Sequence, residues 1–348
     1  MLEFKPDYEA AFERIEAWWQ RELCDRLPIM ITAPRVPEQT APVPESGSVA
    51  EQWWREDFVL DRAEALISNS LYKGEALPVF APDLGRDVFA AFFGASLIFG
   101  TDEVFVESPY EGLDAIPPFG LDTSNSYLQW LEKCMHAAIN RARGRFLVGL
   151  PLIRGGLDCL AALLTKARMA LAAEEEFARV EALMSDLGQV WNETYIRLAR
   201  PLLDEYGATQ AAPCRHAGRC GLFMPEAAEV LPPASAAPLL RLDLEPKTAR
   251  LDRSILHLAD PGMAHRRVLL DLEDLTGFYL DLREASEFPF AMLREIQAAG
   301  KCLLLEIHAA QFRSLMAGLE VKGVMPRIQA EDEAEADALL REAEKIVS

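Results

Sequence analysis

Residues 301–308 read "KCLLLEIH": a lysine, an apolar block, then a glutamate and a histidine where the block ends. Continuous rather than alternating hydrophobicity is what a strand buried on both faces requires. Seven other runs share this strand-like character. They are 28–33 "PIMITA", 77–82 "LPVFAP", 145–151 "RFLVGLP", 207–213 "GATQAAP", 253–258 "RSILHL", 276–281 "TGFYLD" and 321–328 "VKGVMPRI". Each is followed by a stretch of helical character. Eight strand–helix alternations predict an α/β chain folded as a closed (β/α)8 TIM barrel, one domain over 1–348. In such barrels the chemistry is built at the C-terminal ends of the strands and in the loops after them.

The segments between the runs add detail. Residues 7–25 carry an apolar stripe through Phe12, Ile15, Trp18, Trp19 and Leu23, so 1–27 is expected to form a helical extension capping the barrel bottom. Residues 36–47 "VPEQTAPVPESG" lack periodicity and read as a long loop on the active-site side. Helices are expected over 49–72, 86–94, 124–143, 174–204 and 331–346. A small hairpin at 97–109 opens an insertion over 97–122. Residues 214–233 are the least regular part of the chain.

Composition narrows the function. The chain has 348 residues, a mass of 38.7 kDa, a formal charge of −20 and a pI near 4.7. Such an acidic balance argues against a nucleic-acid partner and against an anionic membrane surface. No run approaches the ~18 apolar residues of a transmembrane helix. The N-terminus has no basic region followed by an apolar one, and the six cysteines read as reduced thiols, so a cytoplasmic location is expected.

Position filters the polar residues. Arg35, Asp83, Arg154, Asp158, Cys214, His216, His257, Asp281, Arg283, Glu306 and His308 all lie at or just past strand ends. His257, between an apolar strand and a Pro-Gly turn, is the sharpest: a metal ligand or general base, or a rim histidine bonded to a carbonyl. Cys214, His216 and Cys220 form a C-x-H-x3-C cluster of zinc-type ligands, though a pair of loop cysteines explains it as well. His216, His257 and His308 are a dispersed alternative. Arg35 and Arg154 suit a carboxylate or phosphate, or a rim salt bridge with Asp83 or Asp158. Asp83, between two apolar blocks, suits acid–base work or a helix cap. Trp53 and Trp54 are candidates to wall a pocket, with packing as the alternative.

The segments "DRLPIMITAPR", "PVFAPDLGRDVFAAFFGA", "RGRFLVGLPLIRGGLDCLAALL" and "LDRSILHLADPG" resemble, in order and spacing, the uroporphyrinogen decarboxylase superfamily over about residues 10–340. That family includes the heme-pathway decarboxylase and the methyl-corrinoid:thiol methyltransferases, all (β/α)8 barrels. The resemblance puts Asp83 at the decarboxylase's catalytic aspartate and Arg35 near its substrate-binding arginines. It puts His257 at the methyltransferases' zinc-binding histidine, with Ala259 where their cysteine stands. Glu226 and Ala228 fall in a stretch where the family has polar residues.

Three readings follow. In the first, the chain moves a methyl group between a small substrate and a corrinoid protein or thiol. His257 then holds zinc or polarises the nucleophile, and Glu306, His308, Cys214 and His216 are further ligands. In the second it is a cofactor-free decarboxylase or lyase acting on a small acid. Asp83 then stabilises a cationic intermediate and Arg35 or Arg154 binds a carboxylate. Across the enzymatic readings the catalytic candidates are Asp83, His257 and Arg154, and the substrate-binding candidates Arg35, Trp53, Trp54, Asp158 and Glu226. In the third it is a non-catalytic partner protein that kept the barrel. The reading leaves room for a homodimer.

Overall fold

The computed structural model describes residues 2–211, 213–258 and 265–346. Its strands are β1 (Met30–Pro34), β2 (Ser70–Gly74), β3 (Val79–Phe80), β4 (Ser96–Phe99), β5 (Val104–Glu107), β6 (Leu147–Val148), β7 (Ala208–Ala211), β8 (Cys214–Ala217), β9 (Cys220–Phe223), β10 (Arg253–His257), β11 (Gly277–Asp281), β12 (Cys302–Ile307) and β13 (Val324–Gln329). Seven of them form a curled sheet in the order β2-β1-β13-β12-β11-β10-β9. All neighbours are parallel except β2, which runs antiparallel to β1.

The expected closed barrel is only partly present, because among the described residues this sheet stays open. The reason is local. The runs 77–82 and 145–151 carry Pro78, Pro82, Gly149 and Pro151, and proline cannot donate to a ladder. Only the two-residue pairing of β3 with β6 survives there. A single bond, from Leu150 N to Gln210 O at 2.7 Å, joins that pair to β7. The fourth run then turns back on itself, pairing β7 antiparallel with β8.

Two layers of apolar side chains flank the sheet. On its outer face Ile31, Leu256, Phe278, Leu280, Leu303 and Leu305 pack under the helices. On the inner face Met30, Ile255, Cys302, Leu304 and Met325 meet Ile15, Trp18 and Trp19 of the helix Tyr8–Trp19. That helix closes off the N-terminal ends of the strands, and Trp19 Nε1 donates to Arg215 O at 2.8 Å. The 30-residue helix Phe177–Tyr206 ends at Gly207, whose φ of 62° is the left-handed cap that glycine adopts without strain. No described helix is long and apolar enough to cross a membrane.

Several expected elements differ in detail. The helix expected over 49–72 breaks at Arg55 and ends at Ser68, where β2 begins. The helix expected over 86–94 is one turn, Val88–Ala91. The hairpin near 97–109 is β4 with β5.

Candidate functional site

Side chains on a strand alternate between faces. Two residues beyond Ile255, Leu304 and Met325, the inner face therefore presents His257, Glu306 and Arg327, with Tyr279 and Asp281 between them on β11. The register sets His257 beside Tyr279 and puts Asp281, Glu306 and Arg327 in one row. An apolar floor thus gives way to a polar layer at the C-terminal strand ends.

His257 is half-buried, and its Nδ1 is buried without a hydrogen-bond partner. Its ring packs on Tyr279 at 4.8 Å between centroids, tilted by 47°. Burial holds its pKa below the usual 6.5 despite the opposing pull of Glu226, Asp281 and Glu306. Burial thus favours the neutral imidazole. Tyr279 bonds through its hydroxyl to Glu306 Oε2 and lies 3.0 Å from Arg327 Nη1. Arg327 also reaches Glu306 at 3.0 Å, and Arg283 stands 3.5 Å from the same carboxylate. Burial, with the Glu306 carboxylate, raises the Tyr279 pKa.

A second charged group lies across the mouth. Arg154 pairs with Asp158, reaches Glu226 at 3.1 Å and stands 3.5 Å from Asp87. Arg86 Nη1 lies 3.1 Å from both oxygens of Glu226. Asp158 Oδ1 accepts from Ala227 N at 3.0 Å, while its Oδ2 is buried and unpartnered. Burial pushes Asp158 up to about 7, against the opposite pull of Arg154 and the Ala227 N–H. An aspartate raised in this way favours the protonated folded state. Its contribution to stability is full below the ordinary pKa of 3.8 and is lost as pH rises toward 7. Asp158→Asn should flatten this loss. The melting temperatures of the two proteins, compared at pH 5 and pH 8, test it: parallel pH dependence would contradict the assignment.

The double glycine of "RGGLD" serves packing. A Cβ on Gly155 would sit 2.5 Å from Lys247 Nζ and 2.9 Å from Asp243 Oδ2. Gly156 N donates to Asp243 at 2.8 Å. Lys247 is fully buried, paired with Asp243 and placed 5.3 Å above the Trp191 ring. We expect Gly155→Ala to cost about 1–3 kcal/mol, as overpacking does. Urea unfolding measures this, and an unchanged midpoint would contradict it.

A cavity of about 690 Å³ is lined by Arg86 of the second group, while His257, Tyr279, Glu306, Arg327 and Arg154 are not among its lining residues. Trp53, Asp83 and Arg86 form one side, the hairpin turn at Asp102 and Glu103 another, and Trp191 and Leu222 line it further in.

The residues singled out from sequence separate into groups. Arg154, Asp158 and Glu226 come together, joined by Arg86, which sequence did not single out, and Glu226 also acts on His257. Asp83 and Trp53 line the cavity. Asp83 is exposed and accepts from Gly85 N at 2.7 Å, a turn rather than the expected cap of a following helix. Trp54 instead packs among Phe99, Tyr127 and Trp130. Arg35 donates from Nε to Ser68 O at 2.8 Å, at the end of the helix Glu56–Ser68. Asp158 is too buried for direct contact with a ligand in this conformation.

The expected zinc ligands do not converge. Cys214 is packed with Trp18 and Trp19, and His216 pairs with Glu16 at 2.9 Å, at the end of the strands opposite His257. The reversal of the chain between β7 and β8 takes them there. Burial raises the Cys214 thiol well above its ordinary value, so it does not favour the thiolate that zinc needs. His308 caps a short turn through its side chain, and Glu306 is occupied by Tyr279, Arg327 and Arg283. Among the described residues no group of three or more His, Cys, Asp or Glu is placed to hold a metal ion. Ala259, the position matched to a cysteine ligand, lies outside the described residues.

Sequence reading missed Tyr279, Arg327 and Arg86. The first two were legible as polar residues two positions apart from apolar ones on the inward side of otherwise apolar strands. The signal for Arg86 was its place in the loop after the second run.

No protein-family model matches the chain, and no curated protein does. Among solved structures it is similar to a methyltransferase from Methanosarcina mazei, with a TM-score of 0.59 over 97% of this chain and 99% of that one, at 13% sequence identity. A likeness at that identity concerns the fold.

Proposed function

We propose that the chain is an enzyme of the uroporphyrinogen decarboxylase type that transfers a methyl group to a small thiol, with His257 as the proton acceptor. The observation that carries this reading is an imidazole at the C-terminal strand ends, above the apolar inner face of the sheet, whose Nδ1 has no hydrogen-bond partner among the described residues; burial favours its neutral form. The fold shared with a methyltransferase supports it. A thiol at neutral pH is a weak nucleophile until its proton is removed. The imidazole takes that proton, the thiolate sulfur forms its bond to the methyl carbon, and the donor leaves with the electron pair of the broken bond. Arg86, braced by Glu226, supplies a positive charge to the cavity wall. The donor in this proposal is a methyl-corrinoid carried by a partner protein. The described residues do not fit a zinc centre, so no step is routed through zinc.

Free methylcobalamin with 2-mercaptoethanol tests the reading. Enzyme-dependent loss of the cobalt–carbon absorbance, with formation of the methyl thioether, is the expected result. No acceleration over the enzyme-free mixture, with methylcobalamin free or bound to a corrinoid protein, would sink it. Release of CO2 from small carboxylic acids would favour the lyase reading instead.

A further inference from the structure

His257 must hold one orientation to accept a proton from a bound thiol, yet among the described residues no hydrogen bond fixes its buried Nδ1. Among the described residues its ring packs against Tyr279, its register neighbour on β11. Tyr279 in turn is tied down at its far end. Its hydroxyl bonds to Glu306, its oxygen lies 3.0 Å from Arg327 Nη1, and Arg327 is also 3.0 Å from Glu306. Arg283 stands 3.5 Å from the other Glu306 oxygen and is itself bonded to Asp281 at 2.6 Å. Glu306 and Arg327 are direct partners across the β12–β13 ladder, so the anchor rests on two adjacent strands. The polar half of Tyr279 is fully engaged, and the face of its ring is left to pack on the imidazole.

We propose that Tyr279, clamped by Glu306 and Arg327, is a positioning residue that sets the orientation of the His257 imidazole. This rests on the reading of His257 as the proton acceptor. A well-placed general base loses its advantage when its approach varies by even about 1 Å, so the clamp should act on the rate of transfer and not on binding. The ring does the orienting and the hydroxyl only holds the ring. A phenylalanine should therefore preserve most of the function, because its ring still fills the same place against β10.

Two measurements on the full-length protein test the proposal. The first needs no substrate: with 15N-labelled histidine, NMR relaxation reports the motion of the His257 ring. Wild type and Tyr279→Phe should show an ordered ring, and Tyr279→Leu a mobile one. The second is the methylcobalamin and 2-mercaptoethanol assay. Tyr279→Leu should lower kcat about 10–100-fold with KM within twofold, while Tyr279→Phe and Arg327→Met, which both keep the ring, should stay within threefold of wild type. Thermal melts check that each variant is folded. If Tyr279→Leu does not fold, Tyr279→Met, which also removes the aromatic ring, carries the test, with a more mobile His257 ring and a lower kcat expected. A His257 ring equally ordered in the folded variants would overturn the proposal, as would a rise in KM in place of a fall in kcat. Ring disorder in Tyr279→Leu together with full activity of His257→Gln would uphold the clamp and reject the assigned function, so the two failures are distinguishable.

Discussion

Replacing His257 with glutamine is expected to lower kcat/KM for methyl transfer to a thiol by about 10²–10⁴, the range that a positioned acid–base group contributes. Glutamine keeps a polar side chain of similar reach but cannot accept the proton. The loss should appear mainly in kcat, because the cavity and Arg86 are untouched. Supplying the acceptor as a preformed thiolate, at a pH well above the thiol's own pKa, should recover much of the rate. A variant within threefold of wild type at neutral pH would remove His257 from the chemistry. Its residual role would then be packing against Tyr279.

The second large effect concerns stability at the opposite end of the sheet. Glu75 is fully buried. It receives two bonds from Arg26 at 2.9 and 2.7 Å and one from Ile29 N at 2.6 Å, and Arg14 stands 3.5 Å away. Arg26 is nearly as buried as Glu75. Glu75→Ala strands that guanidinium and the Ile29 N–H, and breaking a buried pair from one side costs about 3–5 kcal/mol. Urea unfolding should show that loss. Replacing both partners, Arg26→Met with Glu75→Leu, should be markedly less damaging, because no uncompensated charge is left. A single substitution costing under about 1 kcal/mol would show that water enters and solvates the arginine.

How much of this was legible from sequence differs between the halves of the fold. The four runs at 253–258, 276–281, 301–308 and 321–328 each give a strand of five or six residues in the parallel part of the sheet, the last with Pro326 inside it, and hydrophobic pattern alone located them. The runs at 77–82 and 145–151 have comparable hydrophobicity but are broken by proline and glycine, which hydropathy does not register and hydrogen bonding does. The site was legible where a polar residue ended an apolar run, as at His257 and Glu306. Tyr279 and Arg327 sit inside runs read as uniformly buried, and only the two-residue period shows them facing inward. The cluster of Cys214 and His216 misled for the opposite reason. The residues are close in sequence and carry ligand chemistry, but a tight hairpin sends them to the packed end of the sheet beside Trp18 and Trp19. A salt bridge of Arg154 with Asp83 or Asp158 was one alternative open from sequence, and the structure has the Asp158 pair; the buried Lys247 and Asp243 behind the double glycine could be found only in three dimensions.

The most direct test of the account is the pH dependence of kcat/KM for methyl transfer, with an acceptor whose thiol pKa is known. His257 must be neutral to accept a proton, and burial lowers its pKa below the ordinary 6.5. Activity should therefore fall on the acid side of 6.5, as protonation of the free enzyme removes the base. That acid limb should be absent from the residual activity of His257→Gln. The account predicts both findings together. An acid limb that persists unchanged in His257→Gln, or a wild-type profile flat from pH 8 down to pH 4, would contradict it.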